Sequence, residues 1–95
     1  MIYDSQGLAR IFNTLSSPAR VRILELIKSR SLCVSSLAEE LGVTSAAVSQ
    51  HLRILRDAGL AVGEKKGYHV HYQANQENMK KWQKKIRLFF EPPLS

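Results

Sequence analysis

Leu37-Ala-Glu-Glu-Leu-Gly-Val-Thr-Ser-Ala-Ala-Val-Ser-Gln-His-Leu-Arg-Ile-Leu-Arg-Asp-Ala-Gly-Leu60 reads as two helices joined by a tight turn. Leu37, Ala38 and Leu41 supply the apolar stripe of the first helix. Gly42 can take the left-handed conformation that ends it, and either Thr44 or Ser45 can cap the next. Gly59 stops that second helix. On a helical wheel Val48, Leu52 and Leu55 fall on one side, which turns Ala46, Ser49, Gln50, Arg53 and Asp57 outward. A helix that only faces solvent carries Lys and Glu there. Small residues beside Gln and Arg instead let a helix backbone sit deep in a groove and touch base edges. The pattern is that of a helix-turn-helix DNA reader.

Working outward toward the N-terminus, Lys28 to Ser36 is too short and too irregular for a helix and suits one extended segment. Ser36 with Glu39 has the spacing of a capping box for the first reader helix. Ser16-Ser17-Pro18 places a cap before a proline at the first helical position, and Val21, Ile23, Leu24, Leu26 and Ile27 give that helix a broad apolar face. Leu8, Ile11, Phe12 and Leu15 recur at helical spacing behind Asp4 or Ser5.

On the C-terminal side, Gly63-Glu-Lys-Lys-Gly67 reads as a glycine-bounded charged turn, with Lys65 and Lys66 at its tip. Tyr68, Val70 and Tyr72 then alternate on one face of a strand, with His69 and His71 on the other. A basic hairpin directly after a helix-turn-helix is a wing, placed to meet phosphates or the minor groove. From residue 76 to 91 helical spacing returns in Met79, Trp82, Ile86 and Phe89 or Phe90, and lysines occupy the other side. The expected fold is mainly α with a small β-wing, a winged helix-turn-helix of about five helices and a two-stranded antiparallel hairpin. One domain is expected over residues 1–95, with the terminal helices (about 4–15 and 76–91) burying their surplus apolar surface in a homodimer.

Composition narrows the partner. Fourteen basic against eight acidic side chains leave a net charge of +6, which favours a polyanion. Arg53, Arg56, Lys65 and Lys66 surround the reader, so double-stranded DNA is the expected partner rather than a membrane. No apolar run reaches bilayer-spanning length, and the N-terminus lacks the pattern of a secretory signal. With a single cysteine, Cys33, the expected compartment is the cytoplasm. No triad, phosphate cradle or paired acids suggest an enzyme.

Five side chains call for a choice. Cys33 is either a redox-reactive thiol or a small buried hydrophobe, the burial being the commoner fate of free cysteine. His69 and His71 have valid spacing for two metal ligands, but no third accompanies them. His51, at the edge of the reader's buried side, reads as a packed histidine, and Trp82 as core or interface.

With these residues in view, the chain resembles the ArsR/SmtB family of winged-helix repressors. Leu15-Ser-Ser-Pro-Ala-Arg-Val-Arg-Ile-Leu24 is similar to the family's second-helix opening, and Val48-Ser-Gln-His-Leu-Arg-Ile-Leu-Arg-Asp-Ala-Gly-Leu60 to its recognition-helix signature. Gly67 to Tyr72 is similar to its wing, and the resemblance runs from about Leu8 to Tyr72. It implies a homodimeric repressor on an inverted repeat in a promoter. It also implies DNA contacts from Thr44, Ser45, Ala46, Ser49, Gln50 and Arg53, with the wing at Lys65 and Lys66. The family's soft-metal string Cys-Val-Cys stands here as Cys33-Val34-Ser35, and Met79 to Phe90 holds no Asp, His, Cys or Glu. Neither familiar metal site is complete, so no metal or cofactor is expected and the effector is open. A thiol- or metal-responsive repressor acting through Cys33, and a winged-helix protein-interaction module, are the alternatives.

Overall fold

A computed structural model describes residues 4–94, so Met1 to Tyr3 and Ser95 of the expected domain lie outside the described residues. The elements follow as α1 (Ser5–Thr14), α2 (Pro18–Ile27), β1 (Leu32–Cys33), α3 (Val34–Leu41), α4 (Ser45–Asp57), β2 (Ala61–Lys66), β3 (His69–Ala74) and α5 (Gln76–Phe90). This is a winged helix-turn-helix with its five helices and its hairpin. A third short strand extends the hairpin, for β1 pairs antiparallel with β3 through Leu32↔Tyr72 and Cys33↔His71, in the order β1-β3-β2.

The core is built where the apolar periodicities converge. Ile23 and Ile27 of α2, Leu37 of α3, Val48, Leu52 and Leu55 of α4, and Leu60 are fully buried and form one cluster. Each such side chain contributes roughly 1.5–3 kcal/mol by leaving water. The same packing fixes which way α4 faces. No helix among the described residues is long and apolar enough to cross a membrane.

Local chemistry sets most of the boundaries. Asp4 Oδ1 accepts from Gly7 N at 2.6 Å, Ser17 Oγ from Arg20 N at 3.3 Å and Thr44 Oγ1 from Ala47 N at 3.1 Å, so Asp4 and Thr44 take the caps each shared with a neighbouring serine. Gly42 closes α3 at φ 67° and Gly59 follows α4 at φ 80°, both left-handed.

Two expectations are corrected. The Ser36–Glu39 capping box does not form: α3 starts at Val34, its N-cap is Cys33 with no side-chain cap bond, and Ser36 lies inside the first turn. Pairing of Leu32 and Cys33 with β3 carries the chain in the extended form only as far as Cys33, which starts the helix three residues early. The stretch Gly63 to Lys66 is strand, not turn, and the reversal is the two-residue Gly67–Tyr68 with Gly67 at φ 65°. Gly63 is required by packing. A Cβ there would stand 2.9 Å from Val70 Cγ1 and 3.0 Å from Tyr72 Cε1. Val70 and Tyr72 oppose His69 and His71 as expected, whereas Tyr68 belongs to the turn and to neither face of β3.

Candidate nucleic-acid interface

Helix α4 spans thirteen residues, about 20 Å at 1.5 Å per residue, enough to lie across a major groove about 12 Å wide. Its buried Val48, Leu52 and Leu55 anchor one side, and Ala46, Ser49, Gln50 and Arg53 are all exposed on the other. Thr44 and Ser45 are exposed at the N-terminal end. That end carries the positive pole of the helix dipole, which suits a phosphate. The residues chosen on the helical wheel therefore share one open surface.

The wing divides the two lysines. In the β2–β3 register Lys65 faces Val70 and Lys66 faces His69, so they project from opposite faces of the ribbon. Both are exposed, and Tyr68 at the tip is fully so. A hollow of about 330 Å³ separates the wing from the start of α4, with Ser45, Tyr68 and Cys33 on its walls. Among the described residues Arg53, Lys65 and Lys66 enter no ion pair; the pairs formed are Arg30–Glu40, Lys81–Glu77 and Arg87–Glu91. The cations around the reader are left for an external anion.

Two contacts behind α4 were not legible in the sequence. The Arg20 guanidinium donates from Nε to Thr14 O at 2.8 Å and from Nη2 to Asn13 O at 3.2 Å, closing the end of α1. Its Nη1 lies 3.4 Å from His51 Nδ1, so one arginine joins α1, α2 and the reader helix. At the other end Asn78 Nδ2 of α5 donates to Gly59 O at 2.8 Å. Both pairs are distant in sequence, 31 and 19 residues apart, and only the tertiary fold joins them. The half-buried His51 is a packed histidine, as its position on the wheel implied.

Cys33 departs from expectation. It is half-exposed rather than buried, with Ser35 Oγ at 3.2 Å and Ser36 Oγ at 3.3 Å from its Sγ. These hydroxyls, first Ser35 and then Ser36, together with a Ser36 backbone bond, stabilise the thiolate and lower the pKa from 9.0 to about 6; nearby His69 adds to the effect. No group of three or more His, Cys, Asp or Glu side chains that could hold a metal is assembled among the described residues. His69 and His71 share their wing face with Glu64 and Lys66.

Comparison with known proteins agrees with this geometry. Residues 17–61 match the model of the bacterial regulatory protein, arsR family. The chain is 40% identical over 72 residues to the transcriptional regulator NmtR of Mycobacterium tuberculosis, covering 73% of this chain and 60% of the relative. It is 31% identical over 65 residues to the transcriptional repressor SdpR of Bacillus subtilis, covering 68% and 72%. The chain thus spans 60% of NmtR, less than two thirds of it, and 72% of SdpR. Among solved structures, M. tuberculosis Rv0081 superposes with a TM-score of 0.71 at 33% identity, covering 85% of this chain and 82% of that one. The homodimeric winged helix-turn-helix DNA-binding domain of Mycobacterium bovis Mb0332 shares the fold, with a TM-score of 0.72 at 21% identity over 88% and 78%.

Proposed function

The chain belongs to the ArsR family of bacterial regulatory proteins, and from that membership we propose that it is a cytoplasmic, dimeric, sequence-specific DNA-binding repressor of transcription rather than an enzyme. The observation that carries the reading is the open face of α4. Four outward residues, Ala46, Ser49, Gln50 and Arg53, combine a close-approach surface with two side chains suited to base edges. Thr44 and Ser45 at the helix start, with Lys65 and Lys66 on the wing, supply phosphate contacts.

Dimerisation is supported by the terminal helices. None of the fifteen residues of α5 is buried, and Phe12, Phe89 and Phe90 stand at 37%, 44% and 69% exposure in one cluster of edge-on rings. A second copy would cover them and set two reader helices on successive turns of an inverted repeat. SdpR is named a repressor and the Mb0332 domain a homodimer, which favours the same assignments here.

The test is a titration of DNA from just upstream of the protein's own coding region against random duplex at several salt concentrations. Tighter binding to the upstream DNA, by about 10³ or more, is expected. Equal, weak, strongly salt-dependent binding to both would reject sequence specificity. No binding to either would favour a winged-helix protein-interaction module.

A second reading keeps the repressor and makes Cys33 its thiol switch, favoured by the half-exposed, hydroxyl-stabilised thiolate beside Ser45. Peroxide should then release the bound DNA from the native protein but not from Cys33→Ser. Identical behaviour of the two proteins would remove the switch.

A further inference from the structure

Two kinds of contact hold α4 in place. Val48, Leu52 and Leu55 are buried in the core, and burial of this kind is non-directional: it resists separation more than a small slide or roll. The second contact has a direction. Among the described residues, the 3.4 Å approach of Arg20 Nη1 to His51 Nδ1 is the one side-chain hydrogen bond that joins α4 to another element. His51 lies one residue after Gln50 and two before Arg53, so the contact is made level with the outward polar face.

The chemistry of the pair sets its geometry. A guanidinium only donates, so His51 Nδ1 must accept, and the ring proton sits on Nε2. The guanidinium is not free to swing. Its Nε and Nη2 are committed to Thr14 O and Asn13 O, carbonyls at the negative pole of α1, and no carboxylate pairs with Arg20 among the described residues. Thr14 is itself buried, and its hydroxyl donates back to Arg10 O at 2.9 Å, which fixes the carbonyl end that receives the arginine. The stem of Arg20 stands on α2, its plane is set by α1, and its third donor meets α4.

Reading a base edge is steep in position, because a shift of about 1 Å takes a hydrogen bond out of range. Attraction to phosphate instead fades over a Debye length of about 8–10 Å. We propose that Arg20, acting through His51, is the positioning residue of the reader helix: it sets where Gln50 and Arg53 stand, and with them the sequence preference, while making no DNA contact of its own. The inference rests on α4 being the DNA reader.

The test titrates two duplexes, one from just upstream of the protein's own coding region and one random, with the native chain and four variants. His51→Leu removes the acceptor, and His51→Asn keeps an acceptor oxygen where Nδ1 stood. Arg20→Lys keeps the charge but loses the fork, and Arg20→Lys/His51→Leu combines the two changes. Preference for the upstream duplex should fall about tenfold in His51→Leu, within what one hydrogen bond to a charged group supplies, with affinity for random duplex unchanged. His51→Asn should keep most of the preference. The double variant should match Arg20→Lys alone, because the two residues act as one unit. If Arg20→Lys does not fold, the contrast between His51→Leu and His51→Asn decides alone. Equal losses on both duplexes would reduce the pair to a merely structural role and overturn the proposal. So would additive losses in the double variant, or a His51→Asn chain no better than His51→Leu. A native chain without preference would remove the reader and this inference together, whereas a native preference that the variants keep would remove the inference alone.

Discussion

Gln50 and Arg53 sit three residues apart on the outward face of α4, at the spacing that lets neighbouring side chains reach neighbouring base pairs. Lys65 sits on the wing, where a phosphate is the available partner. These positions predict different phenotypes. Gln50→Ala or Arg53→Ala should cost on the order of 1–3 kcal/mol on the operator and relax sequence preference. Lys65→Ala should weaken all duplexes alike and flatten the slope of log K against log salt by about one. Matched titrations check it, and indistinguishable profiles for Gln50→Ala and Lys65→Ala would refute the division of roles. Cys33 makes a second case at this scale. Its native pKa of about 6 lies below the ordinary 9.0, so the thiolate-stabilising bonds favour the folded protein fully above pH 9, and that contribution is lost as pH falls to 6. Alkylation of the native protein by iodoacetamide should therefore rise with pH around a midpoint near 6, and around 9 in denaturant. Ser36→Ala should raise the native midpoint while leaving α3 intact, because Ser36 caps nothing. The outward residues of α4 were legible because helical periodicity alone decides them. The state of Cys33 was not, since its exposure depends on where β1 ends and α3 begins.

Elements were legible where their signals are local. Ser17-Pro18, Thr44 and Gly42 mark the ends of their helices by chemistry that acts within one turn. The wing was misread at its turn because two glycines enclosing a charged run look like a loop, whereas Gly63 answers to a neighbour on the other strand. That neighbour gives the prediction. Gly63→Ala forces a Cβ to within 2.9 Å of Val70 and 3.0 Å of Tyr72, so β2 and β3 must part locally. The expected cost is about 1–3 kcal/mol, the range for overpacking, read as a lowered melting temperature. Gly63→Ala/Val70→Ala should recover much of it, because the nearest clashing atom is then gone. Failure of that rescue would place the requirement in the backbone instead. Arg20 is the contrasting case: its sequence position in α2 gives no hint that its side chain closes α1 and touches His51 of α4.

At the scale of the whole molecule the decisive fact is shape. A 95-residue compact domain has a radius of gyration of about 12 Å, and this chain has 14.8 Å with extents of 55 × 22 × 20 Å. The excess length accords with a fold whose last helix buries no residue of its own and ends in two exposed phenylalanines. Amphipathicity of the terminal helices was readable in sequence, but which of their apolar residues the core would consume was not. Met79 and Trp82 pack against the core, while Phe12, Phe89 and Phe90 remain at the surface. The dimer should therefore depend on the phenylalanine cluster. Phe90 is 69% exposed, so Phe90→Glu removes little from the folded monomer and sets two like charges, one from each copy, into an apolar contact. Sedimentation should show dimer for the native chain and monomer for the variant, with similar circular dichroism. Affinity for a single half-site should be unchanged, because α4 and the wing are untouched. Affinity for the complete inverted repeat should fall by at least tenfold, since the second half-site would no longer be bound as part of the same complex. A variant that stayed dimeric and kept full operator affinity would move the interface away from the α1–α5 end, and a variant that lost half-site binding as well would show that Phe90 supports the reader itself.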